Sequence, residues 1–160
     1  GADRAPYLRE FGELEWHFGH VAIAVAERPL PMDDITAVAA EVLPNAALTL
    51  QSGVRYLRAS WPVDELMKVY LAEMRPDHLE FEPAEVRLEI RGARGEVRIN
   101  RLEPAEFIFR NSVMKGRVIG DAAELALDAD ARFDPGAALA ALLASGLVTA
   151  IGQNAQGEER

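Results

Sequence analysis

The stretch that decides the fold is Val86–Asn100, which reads VRLEIRGARGEVRIN. Apolar and charged residues alternate on both sides of a glycine-containing turn, a pattern that predicts two antiparallel strands joined as a hairpin. The apolar residues are expected to face a core and the charged residues the solvent. On the first strand the outward set is then Arg87, Glu89 and Arg91.

The residues after the hairpin predict three helices and a short strand. Pro104 opens a helix that Gly116 ends, Asp121 caps a second helix, and Asp134 with Pro135 begins a third. Gly146 stops that last helix. A final strand is expected over Leu147–Ile151. A hairpin followed by three helices predicts a winged-helix-like lobe.

The first half of the chain is expected to be mostly helical. The predicted elements are a helix over Ala5–Glu27, a helix from Asp33 to Val42, a hairpin of Ala47–Leu50 with Val54–Ala59, and a helix over Pro62–Met74. The fold class is therefore α+β. We expect a helical lobe with a short hairpin over residues 1–75, a linker over 76–85, the winged-helix-like lobe over 86–152 and a flexible tail over 153–160.

Composition excludes several classes of protein. The 160 residues are 49% hydrophobic and 27% charged, as in ordinary globular domains. The absence of cysteine excludes thiol catalysis, thiolate metal sites and disulfides, and is compatible with the cytoplasm, where we expect this protein. No apolar run approaches the ~20 residues of a membrane span, so no membrane association is expected.

The charge pattern argues against nucleic acid. The net charge is −9, and no long segment of the chain is net basic. The helix over Pro135–Ser145 carries no basic side chain, whereas a helix that reads the major groove needs Arg, Lys, Asn or Gln. We therefore expect protein or peptide as the partner, with a winged-helix DNA-binding transcriptional regulator as the alternative.

Four hairpin arginines form the candidate binding site: Arg87, Arg91, Arg94 and Arg98. A guanidinium binds carboxylate or phosphate with two parallel hydrogen bonds, so a cluster of them in an acidic protein is suited to an acidic peptide. The alternative is that Glu89 and Glu96 pair with these arginines and only keep a small sheet soluble.

No catalytic constellation is evident, so neither an enzyme activity nor a cofactor is expected. His17 and His20 lie three residues apart on the first predicted helix, with Glu13 one turn before His17, a spacing that could bind a metal. The expectation is nevertheless a helix edge without metal. A small hydrolase or metal protein is the weakest alternative.

Several segments together resemble the HvfC/BufC-type family of bacterial proteins, which carry a DNA-binding label. These segments are Ala5–Leu8 with Trp16, Leu57–Leu66, Leu102–Glu106 and Phe133–Val148, and the clearest is the run Trp61-Pro62-Val63. The family region that gave the label is a helical domain ahead of the segment matching Ala5–Leu8, so the resemblance implies the C-terminal half of such a protein.

The resemblance also implies a role. Members of this family are non-catalytic partners of TIM-barrel iron enzymes that modify ribosomally made peptides, and their last module is similar to the winged-helix elements that capture a precursor's leader by β-augmentation. The expected function is thus a recognition or adaptor protein that binds a precursor peptide and a partner TIM-barrel iron enzyme.

Overall fold

The computed structural model describes residues 6–38, 40–72, 82–93 and 95–153. Within these ranges the helices are α1 (Leu8–Ala22), α2 (Met32–Thr36), α3 (Val63–Leu71), α4 (Pro104–Met114), α5 (Ile119–Ala129) and α6 (Pro135–Ala144). The strands are β1 (Ala46–Leu50), β2 (Val54–Ala59), β3 (Val86–Ala93), β4 (Glu96–Arg101) and β5 (Val148–Gln153). The α+β class is confirmed.

A three-stranded antiparallel sheet of order β2-β3-β4 lies at the centre of the molecule. One face of the sheet contributes Leu57, Leu88 and Ile90 to a core with α1 and α3. The other face contributes Val54 and Tyr56 to a second core with α4, α5, α6 and the β1–β5 pair. The sheet is therefore covered on both faces, and β3 is its central strand.

The strand pairing corrects two predictions. The expected β1–β2 hairpin is wrong: β1 pairs with β5, and β2 pairs with β3. Each sheet thus joins residues from both expected lobes, so the division into residues 1–75 and 86–152 does not describe the strand pairing. The physical reason is the burial of apolar side chains: Leu48, Leu50 and Val148 lie in one core, where they are removed from water together. The Gln-Ser-Gly turn is only a modest hairpin signal and does not outweigh that burial.

Local signals place the C-terminal elements well. The Asp134 side chain accepts a hydrogen bond from Ala137 N at 3.1 Å, so it caps α6 as expected. Gly116 and Gly146, which follow α4 and α6, have φ angles of 93° and 78°, values that favour glycine. The hairpin, the three helices and the last strand follow in the predicted order, while β5 pairs with β1 and not with the hairpin. The winged-helix likeness stays a prediction.

Helix α1 is shorter than expected because of a tertiary contact. It ends at Ala22, and the chain from Ala24 runs without helical structure to Pro31. The main chain of Glu27 exchanges hydrogen bonds with the Gln51 amide at 2.7 Å, and Leu30 N donates to Val148 O at 2.8 Å. These contacts replace the helical bonds that the periodicity predicts.

The Trp61-Pro62-Val63 run joins α1 to α3. The Glu10 carboxylate of α1 accepts hydrogen bonds from Ser60 N at 2.9 Å and from Trp61 N at 3.1 Å. The Trp61 ring meets the Tyr7 ring edge-on at a centroid distance of 5.8 Å. This run is thus a structural joint.

The residues expected in the linker lie partly outside the described ranges, namely 76–81. So do Arg94, Met74 and the tail residues 154–160. Among the helices that the structure describes, none has both the length and the apolar character needed to cross a membrane.

Candidate peptide-binding edge

The outer edge of β4 has no strand partner in the described part of the central sheet. Pairing of Ala93 with Glu96 sets the β3–β4 register, which continues through Arg91 with Arg98. In an antiparallel pair, hydrogen-bonded residue pairs alternate with pairs whose main-chain groups point away. Leu102 N donates to Arg87 O at 2.8 Å, which fixes the phase of this alternation. The N–H and C=O groups of Val97, Ile99 and Arg101 therefore face outward from the sheet.

The opposite edge of the sheet, on β2, is partly occupied by the chain itself. Nη1 of Arg55 donates to Ser52 O and to Val54 O, both at 2.8 Å. A side chain bound to a strand carbonyl competes with any added strand. Among the two edges, β4 is therefore the better place for an extended peptide.

A basic pocket of about 300 Å³ flanks β4 on the α4 side of the sheet. It is lined by Arg91, Glu96, Arg98 and Asn100. Arg98 is exposed and makes no hydrogen bond or ion pair with any described residue, so its guanidinium is available to a ligand. The described lining holds two guanidinium groups against one carboxylate, which makes it locally positive in an acidic protein.

The other predicted arginines serve different purposes. The Arg91 Nη2 group donates to Ser145 O at 2.7 Å, so Arg91 fastens β3 to the end of α6 and presents only its remaining donors to the pocket. Arg87 is 24% exposed and pairs with Glu85 at 2.7 Å. The structure thus brings Arg91 and Arg98 together at one pocket, keeps Arg87 outside its lining, and does not describe Arg94.

A second, wider pocket of about 630 Å³ flanks β4 on the α3 side. Its lining residues are Asp64, Glu65, Lys68, Val69, Ile99, Asn100 and Arg101. Arg101 donates to both oxygens of Asp64, at 2.7 and 3.0 Å, and to Glu65 at 2.7 Å. The hydrogen bond to Asp64 is the main cause that raises the pKa of Arg101. Both acids are therefore paired from β4 itself, and with the Lys68 ammonium the charged groups of this lining sum to zero.

A buried polar triad lies on the face of the sheet that was predicted to be open to solvent. Glu89 accepts hydrogen bonds from Tyr56 Oη at 2.8 Å and from Arg110 Nη1 at 2.7 Å. Glu89 is only 5% exposed because α4 covers it. The expected outward position of Glu89 is wrong, and its partner is Arg110 and not a hairpin arginine. Glu96 forms no ion pair with a described residue.

The electrostatics of the triad keep Tyr56 neutral and Arg110 charged. Burial first, and then the charge and hydrogen bond of Glu89, raise the pKa of Tyr56 far above its ordinary value. Burial opposes the charge on Arg110, but the hydrogen bond and charge of Glu89 outweigh it and raise the pKa of Arg110. The Nε atom of Arg110 is buried without a partner. The triad is a structural support for β3. In the sequence, the feature that could have indicated it is the single arginine among the phenylalanines of α4.

The histidines of α1 do not gather into a metal site. His20 Nδ1 donates to Trp16 O at 2.8 Å, and the His20 and Trp16 rings lie 3.9 Å apart between centroids with their planes tilted by 38°. Burial first, and then the Arg55 charge, lower the pKa of His17. Across the described residues, no three His, Asp or Glu side chains are placed to hold a metal ion together.

Comparison with known proteins gives no match: no family model, no curated protein and no solved structure matches this chain. The β4 edge and its two flanking pockets are therefore the features of this chain that bear on function.

Proposed function

We propose that this protein is a non-catalytic recognition protein that binds an extended peptide along the outer edge of β4. The single observation that carries the proposal is the row of outward main-chain groups at Val97, Ile99 and Arg101, flanked on the α4 side by the free Arg98. Main-chain pairing along a strand edge supplies affinity, and side pockets supply specificity.

The resemblance to the HvfC/BufC-type family suggests what the peptide is for. In this proposal the ligand is a ribosomally made precursor, the second partner is a TIM-barrel iron enzyme that modifies it, and the complex is cytoplasmic. The adaptor then brings the precursor to the enzyme without contributing a catalytic residue.

The test compares two substitutions at one edge position. Val97→Pro removes an outward N–H but leaves the bonds to β3, since residue 97 does not donate to that strand. Val97→Ala is the matched control, because it shortens the same side chain and keeps the N–H. A library of linear peptides is selected on the wild-type protein, and the enriched peptides are titrated calorimetrically against all three proteins.

We expect enriched peptides to bind Val97→Pro at least about tenfold more weakly than wild type, which corresponds to the loss of one or two net hydrogen bonds. Val97→Ala stays within about threefold of wild type, and circular dichroism shows that both variants fold. Failure to enrich any peptide, or equal binding to all three folded proteins, contradicts the proposal.

A duplex titration tests the DNA-binding alternative. Because α6 carries no basic side chain and the net charge is −9, we expect a Kd near 10⁻⁴ M or weaker, of the order of nonspecific binding at physiological salt. Fluorescence anisotropy with a labelled duplex of mixed sequence measures it at several salt concentrations. Sub-micromolar binding that weakens steeply with salt would make the transcriptional regulator the better assignment.

A further inference from the structure

The two pockets lie on opposite faces of the same strand, and a peptide added to that strand must place its side chains alternately toward them. Residues directly opposite each other on neighbouring strands point to the same face of a sheet. A peptide residue opposite Arg98 or Asn100 therefore faces the basic pocket. A residue opposite Ile99 faces the α3 side.

Building on the proposed function, we infer that the peptide segment paired with β4 has the pattern acidic–aliphatic–acidic, with the acidic residues opposite Arg98 and Asn100. Arg98 offers a free guanidinium, and Asn100 offers an amide donor next to it in the same pocket. A carboxylate is the ligand that accepts from both donor types.

Glu96 restricts where the acidic residues can lie. It is exposed on the same face as Arg98 and two residue pairs closer to the turn. A peptide carboxylate opposite Glu96 would meet a like charge, which disfavours that register. The free cation and the neighbouring carboxylate together therefore select one register of the peptide along the strand.

The α3 side favours an apolar residue between the two acidic ones. Ile99 is half-buried and packs against the core that α1 and α3 share, and Val69 lines the same pocket. The acids Asp64 and Glu65 both accept from Arg101, and together with Lys68 the charged groups of this lining sum to zero. Lys68 adds an aliphatic stem and disfavours a cationic residue there. An isoleucine or leucine side chain fits this surface best.

The probes are three capped peptides that share flanks of alternating threonine and valine. Their centres are glutamate–isoleucine–glutamate, lysine–isoleucine–lysine, and glutamate–glutamate–isoleucine. The third has the composition of the first, but its adjacent acids cannot both face the basic pocket. Calorimetric titration is expected to show the first binding about tenfold more tightly than either of the others, because only the first places two carboxylates in the basic pocket.

Charge reversal provides the protein side of the test. Arg98→Glu is expected to reverse the preference, so that the lysine peptide binds more tightly than the first peptide. Lys115→Glu, an exposed residue outside both pockets, makes the same change in net charge and is expected to leave the preference unaltered. Equal preference in wild type and Arg98→Glu, or reversal by Lys115→Glu as well, would overturn the inference.

Methylation of peptide nitrogens separates the failure of this inference from that of the proposed function. Alternate residues of a strand turn their main-chain groups to the same neighbour. Methylating the isoleucine nitrogen and methylating the two glutamate nitrogens must therefore have unequal effects, with one abolishing binding and the other sparing it. Unequal effects without acid preference refute the pattern alone. Equal effects, or no binding by any of the three peptides at millimolar concentration, refute strand addition at this edge.

Discussion

Removing Arg110 from the buried triad should cost a large part of the folding stability. The side chains of Arg110 and Glu89 are only 9% and 6% exposed, and they meet at 2.7 Å. Breaking a buried ion pair by deleting one partner costs about 3–5 kcal/mol, because the other charge stays buried. For Arg110→Met we expect about 3 kcal/mol, the lower end of that range, since Tyr56 Oη still donates to Glu89.

The same reasoning predicts a rescue. Arg110 Nε has no hydrogen-bond partner, and Nη2 lies 3.4 Å from Glu106, so the triad is incompletely satisfied. Replacing all three members, as Tyr56→Phe, Glu89→Leu and Arg110→Met, leaves no buried charge. We expect the free energy of unfolding of that variant to lie within about 1 kcal/mol of the wild-type value. Apolar replacements of buried ion pairs often have so small an effect.

Urea unfolding followed by circular dichroism measures the free energy of unfolding of both variants. Arg132→Met is the matched control: the Arg132 side chain is 92% exposed, so this substitution is expected to change the free energy of unfolding by less than about 0.5 kcal/mol. A loss below about 1 kcal/mol in Arg110→Met would refute the argument from the uncompensated charge. A triple variant as unstable as the single one would refute it too, because the loss would then come from packing.

Three further predictions concern α1 and its surroundings. Gly92→Ala should destabilise the protein by about 1–3 kcal/mol in thermal or urea unfolding, because a Cβ there would overlap the Val21 carbonyl oxygen. An unchanged free energy of unfolding would mean that α1 can shift over the sheet without cost. Because burial lowers the pKa of His17 below 6.5, the stability tied to its neutral form is present above that pH and is lost as the pH falls. His17→Gln should therefore lose less stability than wild type when the free energy of unfolding is measured from about pH 8 down to about pH 5. Parallel curves for the two proteins would contradict this. The purified chain should contain no stoichiometric metal by elemental analysis, and about one transition metal per chain that disappears in His17→Ala would show that His17, His20 and Glu13 do bind one.

The sequence predicts elements better than it predicts their partners. The β3–β4 hairpin and the three helices after it follow from signals within a few residues, such as Pro104 and the Asp134 cap. Pairing of β1 with β5 depends on which apolar surfaces meet in the folded chain, and no local pattern encodes that.

In the candidate site, too, the sequence predicts local geometry but not the contacts between distant segments. Alternation along β3 correctly identifies Arg87, Glu89 and Arg91 as one face, but it assigns that face to solvent. The structure covers Glu89 with α4 and uses Arg91 to hold Ser145, so on the hairpin the β4 part of this face is the exposed part. The polar triad was missed because the three residues are distant in sequence and each is ordinary in its own element.

The β1–β5 pair also sets a condition on folding. Thr149 Oγ1 donates to Thr49 O across 100 residues of chain, and Leu48 and Leu50 enter the core beside Val148. Closing so long a loop slows the search for the native state. During synthesis, the apolar side of β1 has no strand partner until β5 has left the ribosome, and it is exposed to other chains in that interval. Chaperone dependence in cells is therefore expected to rise when β5 is weakened, even by substitutions far from the β4 edge.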